Sequence, residues 1–120
     1  MNQVLVVDDE PAMRAALEAS FRRSGWRVES AGGCVEAIAK FRRSQHALVI
    51  TDIRMGDGDG FSVMRQVRTL APHTAVILLT AFGSVPDAVT AMRDGACDYI
   101  RKPFTADQVK EHVIPVLGGK

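Results

Sequence analysis

The sequence has few cysteines, almost no net charge and no long apolar segment, and each absence excludes a class of protein. Cys34 and Cys97 lie far apart and outside any C-x-x-C pair, so we expect two buried thiols rather than a disulfide or a metal site. Fifteen basic and fourteen acidic residues leave a formal charge of +1, too little to attract nucleic acid or an anionic membrane. No apolar run approaches the roughly 20 residues of a membrane span, and the first residues lack the basic and apolar regions of a signal peptide. We therefore expect a cytoplasmic chain that binds neither nucleic acid nor membrane directly.

Common motifs for nucleotides and metals are absent as well. The sequence contains no G-x-x-x-x-G-K-[ST] segment and no G-x-G-x-x-G after its first apolar run. Its three histidines lack ligand spacing and are expected to be packed or solvated. The stretch Asp57–Gly60 is similar to a calcium loop, but Met55 and Gln66 occupy the positions of its first and last carboxylates. A turn is the better interpretation of that stretch.

Short apolar runs alternate with longer helical patterns five times along the chain, which is typical of parallel strands joined by crossover helices. The predicted strands are Val4 to Val7, Trp26 to Ala31, Ala47 to Ile50, Ala75 to Leu79, and Cys97 to Arg101. The second strand alternates apolar and polar residues, which predicts an edge position. With 120 residues, of which 47% are hydrophobic, the chain fits one compact domain. The pattern predicts an α/β fold with an open, doubly wound, five-stranded parallel sheet and five helices, not a barrel.

Polar residues follow the predicted strands at the points where each apolar run ends. Asp8 and Asp9 end the first run, Asp52 the third, Thr80 the fourth and Lys102 the fifth. The carboxyl ends of parallel strands share one edge, so three carboxylates would repel one another there unless a cation neutralised them. An all-oxygen cluster suits Mg²⁺. A carboxylate nucleophile, a metal and the fixed donors Thr80 and Lys102 are together what phosphoryl transfer requires.

Short motifs carry a resemblance to one family, and their order and spacing cover essentially the whole chain. They are Val7-Asp8-Asp9-Glu10-Pro11, Thr51-Asp52-Ile53-Arg54-Met55, Thr80-Ala81 and Lys102-Pro103-Phe104. The sequence resembles the receiver domain of bacterial two-component response regulators. Through Thr80–Ser84 and Asp98–Phe104 it looks most like receivers of the NtrC-type sigma-54 transcriptional activators. The resemblance implies a flavodoxin-like sheet with strand order 2-1-3-4-5.

The resemblance also implies how the acidic edge works. Asp52 would accept a phosphoryl group from the phosphohistidine of a sensor histidine kinase. Asp9 and Asp52 would bind Mg²⁺ directly, Asp8 would act through a bound water, and the backbone carbonyl of Arg54 would complete the protein ligands.

Further residues are implied to bind the phosphoryl group and to transmit its presence. Lys102 would pair with the phosphoryl group, and a cis Lys102-Pro103 bond would aim it inward. The hydroxyl of Thr80 would move toward the phosphoryl oxygens while Tyr99 swings inward, and the small Ala81 would leave the path to the aspartate open. The fourth and fifth helices with the fifth strand would form the output surface, where two copies of the domain would also pair.

The sequence departs from the usual receiver pattern at Gly56, where proline is more common. Glycine widens the unfolded ensemble, so we expect a more mobile loop after Asp52. Residues 1–120 are interpreted as a single receiver domain. Excision from a longer regulator is favoured over a stand-alone protein, because the surface offers no output activity of its own.

Two alternatives belong to other classes. A Mg²⁺-dependent phosphohydrolase that forms an aspartyl-phosphate commonly shows D-x-D at its nucleophile, but here Arg54 takes the place of the second carboxylate. A flavin-binding module needs a loop rich in Ser, Thr and Gly after the first strand, whereas Asp9-Glu10-Pro11 would repel its phosphate. The sequence therefore favours a switch over an enzyme.

Overall fold

The part of the chain that the structure describes forms a five-stranded sheet and five helices, of which four connect the strands and the fifth follows the last strand. The computed structural model describes residues 3–80, 85–101 and 105–116. The strands of the main sheet are β1 (Gln3–Val7), β2 (Arg27–Ala31), β3 (Leu48–Asp52), β4 (Ala75–Thr80) and β5 (Asp98–Arg101). The helices are α1 (Pro11–Arg23), α2 (Cys34–Ser44), α3 (Gly60–Leu70), α4 (Val85–Arg93) and α5 (Ala106–Val116).

All neighbouring strands of this sheet are parallel, in the order β2-β1-β3-β4-β5. The expected order 2-1-3-4-5 and the edge position of β2 are confirmed. The chain builds outward in one direction from β1 to β2 and in the other from β3 to β5, so the strand order reverses between β1 and β3. In an open parallel sheet this reversal leaves a crevice at the carboxyl ends of the two strands.

The core lies in two layers because successive residues of a strand point to opposite faces of the sheet. Val4 and Val6 pack in one layer with side chains of α1 and α5, and Leu5 and Val7 pack in the other with α2, α3 and α4. Phe21 on α1 is completely buried, as the helical stripe predicts. Full burial of one such side chain contributes about 1.5–3 kcal/mol to folding.

Strands β3 and β4 are longer than their apolar runs. Thr51 and Asp52 continue the ladder of β3, and Asp52 is opposite Leu79 in the register with β4. Thr80 likewise completes β4 and is opposite Arg101 of β5. Polar residues at the ends of these strands are therefore held by the sheet itself.

The two cysteines differ in their environment, and the expectation of two buried thiols is half wrong. Both are free, and Cys34 is buried in the first turn of α2. Cys97 is exposed, since it precedes the edge strand β5 and only its backbone joins the sheet, through a bond from its N–H to the Val76 carbonyl of 2.8 Å. Within the ranges that the structure describes, no helix combines the length and apolar character needed to cross a membrane.

The helix ends follow the sequence signals. Thr105 and Gln108, three residues apart as in a capping box, form a reciprocal cap of α5 with backbone-to-side-chain bonds of 2.7 and 3.1 Å. Gly95, just beyond α4, has φ +108°, a conformation that favours glycine. Ser84 followed by Asp87 is typical of a capping box at the start of α4, but Ser84 lies outside the described residues.

His46 is a packed histidine, completely buried between α2 and β3. Its ring stacks on Phe41, and its Nε2 lies 2.6 Å from Oε1 of the partly exposed Glu29 on β2. We expect Glu29→Ala to lower the free energy of unfolding by about 1–3 kcal/mol, because a buried polar nitrogen then loses its partner. Chemical denaturation would measure the change.

Glu18→Ala is the matched control, since Glu18 forms only a 3.8 Å surface pair with Arg22. Such a pair contributes about 0–1 kcal/mol. Equal destabilisation by the two variants would contradict the role assigned to the contact between Glu29 and His46.

Candidate functional site

Three carboxylates meet at the crevice between β1 and β3. Asp8 and Asp9 directly follow β1, and Asp52 is the last residue of the neighbouring β3. One carboxylate oxygen from each lies within 4.8 Å of the others. Asp8 and Asp52 are buried, whereas Asp9 is exposed. The three carboxylates therefore lie close together, as the positions of the strand ends predict.

Asp8 is held where the chain leaves the sheet and enters α1. Its backbone N–H extends the sheet by donating to the Ala31 carbonyl at 3.1 Å. Its Oδ1 accepts from the N–H of Glu10 at 2.9 Å, and its carbonyl accepts from Arg14 Nη1 at 2.7 Å. These bonds fix both the backbone and the carboxylate of Asp8. Arg14 was not singled out from the sequence, and only its place near the start of α1 hints at this contact.

Asp52 is fixed by the sheet and by its immediate neighbours. Its Oδ1 accepts from the N–H of Ile53 at 2.8 Å, and its carbonyl accepts from the Thr51 hydroxyl at 2.9 Å. The N–H of Ile53 also donates to the Leu79 carbonyl of β4 at 3.0 Å. The Asp52 carboxylate therefore has a defined orientation at the open end of the sheet.

The first residue of α3 packs directly beneath this turn. Gly60 donates its N–H to the Ile53 carbonyl at 2.8 Å, and a Cβ atom on Gly60 would collide with the carbonyl oxygen of Asp52. Only a residue without a side chain allows α3 to begin so close to the backbone of the acidic site.

Thr80 and Tyr99 occupy the neighbouring strands. Thr80 ends β4 and is buried, and it lines a cavity of about 420 Å³ together with Arg54 and Phe61. Tyr99 lies on β5 and packs, partly buried, against the core layer of α2, α3 and α4. Ala81, Lys102 and Pro103 lie outside the described residues, and so does the expected cis bond between the last two.

The loop between β3 and α3 contains a small antiparallel hairpin. Arg54–Met55 pairs with Gly58–Asp59. Asp59 then caps α3, its Oδ1 accepting from the N–H of Ser62 at 2.9 Å. The expected turn at Asp57–Gly60 is thus part of a hairpin, and the greater mobility expected from Gly56 stays a prediction.

The donor set fits a hard divalent cation. All three side chains offer carboxylate oxygens, the ligands that Mg²⁺ and Ca²⁺ prefer. Two of the three are buried, where like charges repel more strongly than in water. A cation among them would remove that repulsion. Fold and side chains together describe a doubly wound α/β protein with an acidic cluster, suited to a divalent cation, at the switch point of its sheet.

Comparison with known proteins identifies the family. Residues 4–114 match the response regulator receiver domain family. The C4-dicarboxylate transport transcriptional regulatory protein DctD of Rhizobium meliloti is 38% identical over 88% of this chain and 23% of its own length. The beryllofluoride-activated NtrC4 receiver domain dimer has a TM-score of 0.86 at 31% identity, covering 99% of this chain and 96% of that one. The chain belongs to the response regulator receiver domain family.

A further solved relative carries a modified aspartic acid and a bound ion. A response regulator protein from Burkholderia pseudomallei, with a phosphorylated aspartic acid, a calcium ion and citrate, has a TM-score of 0.87 at 26% identity. The match covers 93% of this chain and 66% of that one. The chain spans less than half the length of the curated relatives it matches first.

Proposed function

We propose that this receiver domain stores a phosphoryl group on Asp52, taken from the phosphohistidine of a sensor histidine kinase in the cytoplasm. The observation that carries the proposal is the meeting of Asp8, Asp9 and Asp52 within 4.8 Å at the switch point of the sheet. Support comes from the relative that carries a phosphorylated aspartic acid and a divalent cation.

The chemical step is a transfer between two nucleophiles. A carboxylate oxygen of Asp52 attacks phosphorus, the bond from phosphorus to the donor imidazole nitrogen breaks, and the imidazole departs with that electron pair. The N–H of Ile53 orients the carboxylate through Oδ1, so little reorganisation precedes the attack.

The cation of this site would be Mg²⁺. Asp9 and Asp52 would hold it directly, Asp8 through a water, and Arg54 through its backbone carbonyl. A bound Mg²⁺ supplies positive charge to the oxygens of the transferring group. The bonds from Glu10 and Arg14 keep Asp8 in place for this task.

The presence of the phosphoryl group would be transmitted from Asp52 toward strands β4 and β5 and helix α4. Thr80 and Lys102 would contact the phosphoryl oxygens, Ala81 would leave the path open, and Tyr99 would turn inward. On α4, Val89 and Met92 are 49% and 50% exposed, an apolar surface that suits pairing of two copies through α4, β5 and α5. The NtrC4 relative is a receiver domain dimer.

The output would be control of transcription by a longer regulator of the NtrC-type sigma-54 class, since DctD is a transcriptional regulatory protein of which this chain matches 23%. We infer a switch and not an enzyme. A phosphohydrolase needs a second carboxylate to release the phosphate rapidly, and Arg54 stands where D-x-D enzymes carry it.

Acetyl phosphate, with and without Mg²⁺, tests the proposal. We expect intact-mass measurement to find one added phosphoryl group on the wild-type chain with Mg²⁺. Chelation by EDTA should slow labelling by about 100-fold or more, since a metal contributes several kcal/mol and each 1.36 kcal/mol is tenfold in rate. Equal labelling with EDTA would contradict the metal's role. Steady hydrolysis of small phosphate esters would instead favour the phosphohydrolase.

A further inference from the structure

The N-terminus of α2 is capped by a residue from a different loop. The helix begins at Cys34, and the capping position is held by Gly33, which has no side chain to bond the first N–H groups. The carboxylate of Asp57 takes that place. Its Oδ1 accepts from the N–H of Cys34 at 2.7 Å, and its Oδ2 accepts from the N–H of Val35 at 3.1 Å. We call this pair of bonds the cross-loop cap.

The surrounding atoms fit the cross-loop cap closely. A Cβ atom on Gly33 would lie 2.7 Å from Oδ1 of Asp57, so the close approach needs glycine there. The thiol of Cys34 donates to the Asp59 carbonyl at 3.3 Å, and a Cβ on Gly58 would lie 2.9 Å from that sulfur. Side-chain and backbone contacts together therefore hold the hairpin against the first turn of α2.

The electrostatics favour the same arrangement. Burial, and after it the nearby Asp57 and Asp59 carboxylates, raise the pKa of Cys34 to about 11, so the thiol stays protonated as its donor role requires. The N–H groups of Cys34 and then Val35 hold the pKa of Asp57 below its usual value. A lowered folded-state pKa means that the stabilisation is present above the unfolded-state pKa and is lost as pH falls through the folded one. The cap is therefore fully formed at neutral pH.

The cross-loop cap is connected to the acidic site through the hairpin. Its first strand, Arg54–Met55, follows Asp52 after one intervening residue and is paired with Gly58–Asp59. Gly56 at the turn has no atom within 4 Å of a Cβ position, so the space around it is open. Without Asp57, the hairpin would lose two of the hydrogen bonds that hold it on α2, and short isolated hairpins are marginally stable.

We infer that Asp57 is a positioning residue for the cation site, because it holds the hairpin whose Arg54 carbonyl the proposed function assigns as a ligand beside the carboxylates of Asp9 and Asp52. This inference rests on the proposed function. Asp57 acts through the hairpin and does not bind the cation itself.

Three variants separate positioning from a general charge effect. Asp57→Ala removes the cross-loop cap, whereas Asp57→Asn keeps an acceptor oxygen for the N–H of Cys34 but removes the charge and the bond from Val35. Glu18→Ala removes one negative charge on α1, away from the hairpin. Circular dichroism melts verify that each variant is folded.

Two measurements report on the inference. In metal-free protein, amide hydrogen exchange at Cys34 and Val35 should be faster in Asp57→Ala than in the wild type. By calorimetry, Mg²⁺ should bind Asp57→Ala about three- to tenfold more weakly than the wild type. This loss of affinity is at or below the low end of the effects seen when residues that hydrogen-bond to metal ligands are removed. Asp57→Asn should stay within about twofold of the wild type, since one capping bond remains.

The outcomes are distinct. Wild-type Mg²⁺ affinity in Asp57→Ala would overturn the inference, and so would equal weakening in Asp57→Ala and Asp57→Asn, which indicates charge alone. A wild-type chain that binds no Mg²⁺ would overturn the proposed function and the positioning role together. In that case the amide exchange would still show whether the cross-loop cap exists.

Discussion

Asp52→Ala is expected to carry no phosphoryl group after incubation with acetyl phosphate and Mg²⁺, whereas the wild type carries one. The reason is chemical: alanine offers no oxygen to attack phosphorus, and the methyl group leaves Asp8 and Asp9 without the third carboxylate of their cluster. Intact-mass spectrometry gives the stoichiometry, and peptide mapping of the wild type locates the label.

The fold of this variant should be intact. Removing one of three adjacent carboxylates relieves repulsion in the metal-free protein, so its melting temperature should equal or exceed that of the wild type. Asp94→Ala is the matched control, because Asp94 pairs with Arg65 at 3.6 Å beyond the end of α4 and takes no part in the site. It should be labelled like the wild type. Persistent labelling of Asp52→Ala at the same rate would place the acceptor elsewhere.

Gly60→Ala is expected to lower the free energy of unfolding by about 1–3 kcal/mol, the cost of overpacking a tightly packed position. A Cβ atom there collides with the carbonyl oxygen of Asp52 and lies 3.1 Å from both the Asp52 carbonyl carbon and Ile53 Cα. These are backbone atoms, which cannot rotate aside as a flexible side chain does. Relieving the collision moves the strand end that carries the acceptor, so labelling from acetyl phosphate should also slow. Denaturant titration and labelling kinetics measure the two effects.

Gly56→Ala is the control for Gly60→Ala, since it adds the same methyl group in the loop that directly precedes α3. Its Cβ would meet no atom within 4 Å. Reducing the freedom of the unfolded chain should leave it neutral or more stable by about 0.4–1 kcal/mol. If both glycine variants unfolded at the same denaturant concentration, the close approach of Gly60 to Asp52 would make no difference to the free energy of unfolding.

The acidic site could be predicted from the sequence because its carboxylates follow strands whose carboxyl ends lie at the same edge of the sheet. Once five apolar runs are interpreted as parallel strands, Asp8, Asp9 and Asp52 are brought to one edge by topology alone. The periodicity did not detect that Thr51 and Asp52 belong to β3, because polar residues in a ladder carry no apolar signal. The burial of Asp52 followed from that extension.

Contacts between distant segments were not predictable in this way. Asp57 was interpreted only as part of a turn, although Gly33 at the start of α2 is a sign that its cap must come from elsewhere. Similarly, the bond between His46 and Glu29 joins a loop to an edge strand, and neither residue carries a motif.

Hydrophobic periodicity and the rules of parallel sheets were enough to predict the doubly wound sheet and the edge at which three carboxylates meet, because they act on every element alike. The strand order was predicted from the family resemblance. Tertiary structure alone decided how those carboxylates are held. Three contacts depend on the distance between segments that only packing brings together. They are the bond from Arg14 to the Asp8 carbonyl, the close approach of Gly60 to Asp52, and the bonds from α2 to Asp57. A hydrogen bond requires a separation correct to a few tenths of an ångström, and no local pattern encodes that.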